Sequence, residues 1–338
     1  MRWTMEIGKL TNNDLNNLVM KHLQSKRKDI VLSSSIGEDC AAIDFGQEVC
    51  VLSTDPITGA TENLGKLAIN ICCNDIASSG AESVALLLTL LCPPNTTNEE
   101  IDLILRDASS EAEKLNVDII GGHTERTTAV NRIVISGTAI GRVQKDKLIR
   151  TGSAEPGDYI YMSKWAGLEG TGILVTEKRP MLEEVLSSSQ MIEATAYLNH
   201  LSVIPESEIA MNNGVTAMHD VTEGGILGAV YEMCEASDLG CEIYHHNIAV
   251  KDITEKLCDH YLINPLRLIS SGVMLMTIPS SQAGGFERGM IEAGIEYAKI
   301  GIMTELQECV LIYGENELEE VRESIAPPEG DELYKVIE

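Results

Sequence analysis

A two-domain α/β architecture with mixed sheets is what this sequence predicts, and three observations predict it. The chain has 338 residues, too many for one average core and suited to two domains of ordinary size. Apolar runs of strand length alternate with amphipathic helical patterns in both halves, the signature of mixed α/β layers. A charged, turn-rich stretch, QKDKLIRTGSAEPGD, separates the halves and sets expected domains of 1–150 and 151–338.

The elements follow in order. Thr11 starts an amphipathic helix carrying Leu15, Leu18, Val19, His22 and Leu23, with Thr11 and Asp14 as a capping pair. Val49–Ser53 reads as a strand ending at Asp55, and Gly65–Ser79 as a helix stopped by Gly80. The continuous apolar run Val84–Leu91 reads as a buried strand. A helix from Asn98 to Leu115 leads to a short strand, Val117–Ile120, that runs into Gly121-Gly122-His123-Thr124-Glu125; Arg132–Arg142 is the next strand. In the second half Tyr159–Ser163 is a strand, helices follow near 170–178, 190–200 and 206–213, and Thr216–His219 is a strand entering Asp220-Val221-Thr222-Glu223-Gly224-Gly225 and a further helix. The tail, with ENELEEVRES and PPEGDELYKVIE, reads as a solvated helix and loop without chemistry.

Composition excludes several functions. A formal net charge of −27 repels a phosphate backbone and an anionic membrane surface, so neither nucleic acid nor membrane is an expected partner. A nucleotide remains compatible if metal ions stand between carboxylates and phosphates. MRWTMEIGKL has no apolar run for a signal sequence, no stretch approaches a membrane span, and nine cysteines, two of them adjacent, do not resemble a disulfide framework. The expected setting is a reducing cytoplasm.

Four constellations carry possible chemistry. Asp39, Asp55 and Asn74-Asp75 lie at element edges or, for Asp75, among Ile69, Ile71, Ile76 and Ala77. A carboxylate among apolar neighbours is costly unless paired or metal-bound, and magnesium takes oxygen ligands. Singly each acid reads as a cap or surface pair; together they point to a metal site. Gly121-Gly122-His123-Thr124-Glu125 offers close backbone approach, a phosphate donor in Thr124 and an acid in Glu125, or else an ordinary turn. His219-Asp220 with Thr222 to Gly225 repeats strand, acid, glycines and helix; its helix N-terminus offers N–H groups to an anion, while Thr222 is also a plain N-cap and His219 a core histidine. Gly167, Gly170 and Gly172 form a weaker phosphate-loop candidate, with Lys66 and Lys164 as nearby cations. GATENLGK fails as a P-loop, having one residue too many between its glycines and Leu67 in place of Ser or Thr. Cys234, Cys241, His245, His246, Cys258 and His260 are zinc-type ligands without a CxxC spacing, so structural zinc is not expected.

The order GEDCAAID, STDPITGA, NLGKLAINICCNDIASSGAE, IIGGHTE, HDVTEGGILGA and SSGVMLM resembles the aminoimidazole ribonucleotide synthetase superfamily. Its members include thiamine-monophosphate kinase, selenophosphate synthetase and the hydrogenase-maturation carbamoyl dehydratase, and the resemblance is nearest the last. It implies an N-terminal domain that dimerises through a shared β-barrel, with ATP in a cleft near that interface. By the resemblance, Asp39, Asp55 and Asp75 hold Mg2+, Asn74, Gly121, Gly122, His123, Thr124, Glu125 and Gly224 serve the nucleotide with Thr54, and Asp220 and Lys66 are catalytic. The implied chemistry is ATP-dependent activation of an acceptor oxygen by phosphoryl transfer. The acceptor is a small molecule or is borne by a maturation partner protein. Two other readings stand beside it: a kinase of the thiamine-monophosphate type, and a nucleotide-binding maturation partner without turnover. The chain departs from the pattern at three points. It ends in Tyr334-Lys335-Val336-Ile337-Glu338 without the acceptor cysteine of carbamoyl dehydratases. It lacks the N-terminal cysteine loop of selenophosphate synthesis, and His123 stands where relatives carry Asp.

Overall fold

A computed structural model describes residues 10–23, 27–33, 35–314 and 320–337. The sequence readings on residues 1–9 and on 315–319 of the tail lie outside them. The described chain opens on a helical turn, α1 (Asn12–Asp14), where the Thr11 hydroxyl accepts from the Asp14 N–H at 3.2 Å as the capping pair predicts. It continues as a π turn over Leu15–Val19 and a 3-10 turn over Met20–His22, not as one regular helix, and Leu18 and Leu23 are exposed.

The chain divides into two compact units. The first, Lys26–Ser33 with Asp39–Leu148, holds a six-stranded sheet. Its strands are β1 (Ile30–Leu32), β2 (Ala41–Asp44), β3 (Glu48–Ile57), β4 (Glu82–Cys92), β5 (Asp118–Arg126) and β6 (Val134–Gln144). They lie in the order β1-β2-β3-β6-β4-β5, and only β4 and β5 pair in parallel. Helices α2 (Leu64–Ser78) and α3 (Asn98–Lys114) belong to this unit. Thr97 with Glu100 makes a complete capping box for α3. Val49 and Val51 of β3, Ile135 and Ala139 of β6, and Leu67, Ala68, Cys72 and Ile76 of α2 are fully or almost fully buried. A Cβ at Gly137 would stand 2.5 Å from the Cys72 sulfur, and one at Gly141 2.3 Å from Ile76 Cγ2, so these glycines of β6 let α2 settle on the sheet.

The second unit is built on Ile149–Glu338 and takes in the described residues of Met1–Ser25 and Ser34–Glu38. The expected division is 1–150 and 151–338; the compact units group these N-terminal segments with the second half. Asn12 Nδ2 donates to the Glu235 carboxylate at 3.0 Å, a tether that no local pattern announces. The seven strands are β7 (Tyr159–Ser163), β8 (Ala217–Val221), β9 (Gly240–Tyr244), β10 (Val273–Ile278), β11 (Tyr297–Thr304), β12 (Cys309–Tyr313) and β13 (Val321–Ser324), ordered β13-β12-β9-β11-β7-β10-β8. Only β9 and β12 pair in parallel, so this sheet is mixed as well. Its helices are α4 (Leu168–Glu177), α5 (Ser188–Ala196), α6 (Ile204–Asn212), α7 (Gly225–Ser237), α8 (Asp252–Tyr261), α9 (Ala283–Ala293) and the short α10 (Tyr334–Ile337). Val175, Leu182, Leu186, Met191, Ala194, Ile253 and Leu257 join α4, α5 and α8 in one core cluster. Among the described residues no helix is long and apolar enough to cross a membrane, and all nine cysteines are free thiols.

Candidate functional site

Helix α2 is buried almost all round, so each polar side chain on it must be matched by a specific partner. Asp75, 4% exposed, accepts a hydrogen bond from the Ser53 hydroxyl of β3. The Ser78 hydroxyl donates to Asp39 Oδ2 at 2.9 Å and also reaches the Asp75 carbonyl at 2.7 Å. The Cys40 thiol donates to the same carbonyl at 3.0 Å. Asp39 and Asp75 are thus tied to one stretch of helix through Ser78. Asp55 stands two residues from Ser53 on β3, on the same face, and adjoins Cys72, whose thiol is raised to about 12 by burial and by the Asp55 charge. Asn74 is fully buried on α2. The structure therefore gathers Asp39, Asp55, Asn74 and Asp75 around α2.

It does not bring Lys66 to them. Lys66 and Asp75 are nine positions apart, and at about 100° per residue they project from opposite sides of the helix. Lys66 is half-buried near Glu111 of α3; burial lowers its pKa while the Glu111 charge raises it. Asn70 Nδ2 donates to Glu111 at 2.9 Å, and Lys114 pairs with it at 2.8 Å. Lys66, expected to be catalytic, thus lies beside this inter-helix cluster. Thr54 points to the other face of β3, where its hydroxyl donates to the Gly137 carbonyl at 2.9 Å and lies 3.0 Å from Thr138 Oγ1.

The Gly121–Glu125 segment is a strand interior, not a loop. β5 runs through it from Asp118 to Arg126 on the sheet edge. Gly122 sits opposite Leu88, and a Cβ on it would fall 1.8 Å from the Leu88 carbonyl oxygen. The close approach that demands glycine here is to the neighbouring strand. His123 and Glu125 are exposed and pair at 3.2 Å, and Thr124 lies exposed between them. Within this sheet β6 and β4 separate β5 from β3, a distance of about 14 Å at ordinary strand spacing. The phosphate-side residues are therefore apart from the acids within the sheet.

In the second unit Asp220 is the fourth of the five residues of β8 and is 1% exposed. His219 Nε2 is 3.2 Å from Glu232 of α7, both buried, so this histidine is held by a carboxylate in the core. Gly224 caps α7 at φ +88°, but its N–H donates to Asp331 Oδ2 at 2.7 Å. Asp331 also accepts from the Leu333 N–H at 2.8 Å and the Ile269 N–H at 3.1 Å. At this helix N-terminus, where Gly224 is expected to serve the nucleotide, its N–H is taken by the chain's own Asp331 carboxylate. The tail is docked here, with Ile325, Asp331 and Leu333 buried.

Sequence reasoning missed this acidic corner. Glu169, 2% exposed in α4, is raised to about 7 by burial, with the charges of Asp331 and Glu223 adding to it. Asp331 is raised to about 7 as well, again chiefly by burial. The flanking Gly170 and Gly172 are packing positions: a Cβ there would meet the side chains of Leu268 and Leu198 at 2.5 and 2.6 Å. Lys164 is buried too, donating to Ser202 O at 2.9 Å, Gly272 O at 2.6 Å and the Glu206 carboxylate. Neither feature is a phosphate loop.

Comparison with known proteins places these units in a family. Residues 37–143 match the model described as AIR synthase related protein, N-terminal domain, and residues 155–314 match its C-terminal domain. A putative hydrogenase expression/formation protein of Methanocaldococcus jannaschii is 28% identical over 282 residues, covering 82% of this chain and 82% of that protein. A chain of a HypE–HypF complex superposes with a TM-score of 0.75 at 21% identity, covering 93% of this chain and 99% of that one. The hydrogenase maturation protein HypE in complex with ATP gives 0.73 at 18% identity and 97% of both chains. With both of its domain models matched in order along most of the sequence, the chain belongs to the AIR synthase related protein family.

Proposed function

We propose that the chain is an ATP- and Mg2+-dependent phosphoryl-transfer enzyme of the HypE-like kind, working in the cytoplasm as a homodimer in hydrogenase or cofactor maturation. Its acceptor is an oxygen on a small molecule or on a partner protein. The observation that carries this reading is the buried Asp75 carboxylate held by Ser53, with Asp39 tied to the same helix through Ser78. Serine hydroxyls that fix carboxylates in place are the support a metal site needs. Asp39, Asp55 and Asp75 offer oxygen donors only, the ligand type that suits magnesium and not a softer ion. These three would hold the ion, and magnesium bound there supplies neutralisation of triphosphate charge, the main requirement of phosphoryl transfer. Similarity to an ATP-bound HypE supports the nucleotide, and the Methanocaldococcus relative supports the maturation context. Asp220 is kept as the candidate catalytic acid of the second unit.

The test is magnesium-dependent ATP hydrolysis, with ATP binding followed by calorimetry, in wild type and Asp75→Asn. The variant should hydrolyse about 100-fold more slowly, the usual loss when one preorganised electrostatic group is removed. Absence of binding heat in magnesium buffer, or equal near-zero rates in both proteins, would exclude the enzyme.

The homodimer has its own support in the first unit. On β4 and β5, Val84, Leu87 and Ile120 are 41%, 40% and 60% exposed, an apolar strip beside the β5 edge. Such strips on an otherwise acidic surface mark interaction sites. Leu87→Asp should weaken self-association by about 10-fold or more, read by sedimentation velocity across a dilution series. An unchanged sedimentation profile would place the dimer contact elsewhere.

A further inference from the structure

Three cysteines remote in sequence meet in the second unit. Cys234 lies in the last turn of α7, Cys241 is the second residue of β9, and Cys309 opens β12. The meeting has two causes. Asp238 adopts φ +56° at the end of α7 and Leu239 N–H bonds back to the Cys234 carbonyl at 3.1 Å, so the chain doubles back and lays Cys241 beside Cys234. β9 and β12 then pair in parallel with Cys241 opposite Cys309. The three sulfurs all lie within 4.8 Å of one another. Cys234 and Cys241 are buried, and Cys309 is half-buried.

We infer that Cys234, Cys241 and Cys309 form a binding site for a thiophilic d10 metal ion of the zinc–cadmium class, with its fourth position open on the Cys309 side. Metal–sulfur bonds of about 2.3 Å set ligand sulfurs about 3.8 Å apart in a tetrahedral site. The observed spread needs a contraction of about 1 Å at most, within reach of χ1 adjustment. Thiolates select soft ions over the magnesium proposed for the carboxylates, so the two sites do not compete for one metal. On binding, three metal–sulfur bonds form, the S–H bonds still present break, and their protons pass to the buffer. The other zinc-type residues of the sequence are placed differently. The rings of His245 and Tyr313 lie tilted 4.6 Å apart, His260 meets Tyr261 edge-on at 4.7 Å, His246 and Tyr244 are 6.2 Å apart, and Cys258 is a buried thiol of α8 outside the cluster.

The experiment titrates the full chain, stripped with chelator and kept reduced, with Cd2+ under anaerobic conditions. Sulfur-to-cadmium charge transfer in the ultraviolet reports thiolate ligation and is blind to cadmium held by carboxylates. The expected result is a band that saturates at one ion per chain, is erased by Zn2+, and is weakened at least 10-fold in affinity in Cys309→Ser, while Cys258→Ser leaves it unchanged. No band, a band that survives Cys309→Ser, or one lost equally in Cys258→Ser overturns the assignment. Mass-spectrometric alkylation of the wild type covers the case of a variant that does not fold. Zn2+ should protect Cys234, Cys241 and Cys309 together and leave Cys50 unprotected. Equal labelling with and without Zn2+, or a disulfide among the three in the reduced protein, refutes the site.

Discussion

Lys164→Met should destabilise the second unit by about 3–5 kcal/mol, the cost of leaving a buried partner charge uncompensated. The ammonium of Lys164 is buried at the start of the segment that follows β7, and Glu206 at the start of α6 is 1% exposed. Burial lowers the lysine pKa, and the Glu206 charge and hydrogen bond oppose that drop. Two backbone carbonyls, Ser202 O and Gly272 O, take further hydrogen bonds from the same nitrogen. Met fills the stem volume but returns none of these bonds, so the Glu206 carboxylate and both carbonyls lose their donor. Lys164 also holds φ +53°, and Met carries the same backbone strain, so strain cancels in the comparison. Glu206→Gln added to Lys164→Met should recover a large part of the loss, because a neutral amide is far cheaper to bury than a lone charge. Urea midpoints for the wild type, both single variants and the double variant measure this. A single-variant loss below about 1 kcal/mol would mean that water reaches Glu206 and that the pair is worth no more than a surface bridge.

Lys164 also shows where sequence reading stops. A lysine beside three glycines looks like a phosphate-loop cation, and nothing local distinguishes that from a lysine turned inward onto a carboxylate forty-two residues away. What was legible was local and periodic. The helix read as Gly65–Ser79 is α2 (Leu64–Ser78), because its apolar run and the stop at Gly80, φ +71°, are short-range signals. Tyr159–Ser163 was legible as a strand from its apolar run between polar turns, and it matches β7. Asp75 stood out because an acid among isoleucines is costly, and the same cost explains why Ser53 and Ser78 are there. Those serines carried no signal, since a hydroxyl in a strand or helix has many innocent uses. Gly121-Gly122 misled because paired glycines usually end strands, whereas here a parallel neighbour forbids any side chain at Gly122. Asp331 sits in a charge-rich tail that reads as solvated, and its burial depends on docking against Gly224 and Ile269, more than sixty residues away. Cys309 was absent from the zinc-type ligands for the same reason: the parallel pairing of β9 with β12 is a non-local fact.

Glu169→Gln should make the second unit more stable than wild type at pH 8 and leave it nearly unchanged at about pH 4. Glu169 is fully enclosed in α4, with one carboxylate oxygen lacking a hydrogen-bond partner among the described residues. Its pKa rises from 4.5 to about 7 on folding, so the folded state binds the proton more tightly than the unfolded chain. The stability this contributes is complete below pH 4.5 and is lost as pH rises through about 7. That change is worth roughly 3 kcal/mol at most. Gln has the shape of the protonated acid and never ionises, so it removes the slope. The neighbouring Asp331, also raised to about 7 by burial, feels one negative charge fewer in the variant, and its own titration should move down toward the ordinary carboxylate range. The difference in urea midpoint between wild type and Glu169→Gln, followed from pH 4 to pH 8, should therefore open in favour of the variant mainly between pH 4.5 and about 7 and level off above that. A flat difference would show that Glu169 is ionised throughout and that a cation or ordered water neutralises it in the fold. A difference of the opposite sign would show that the carboxylate, and not the neutral acid, is the form this corner was built to hold.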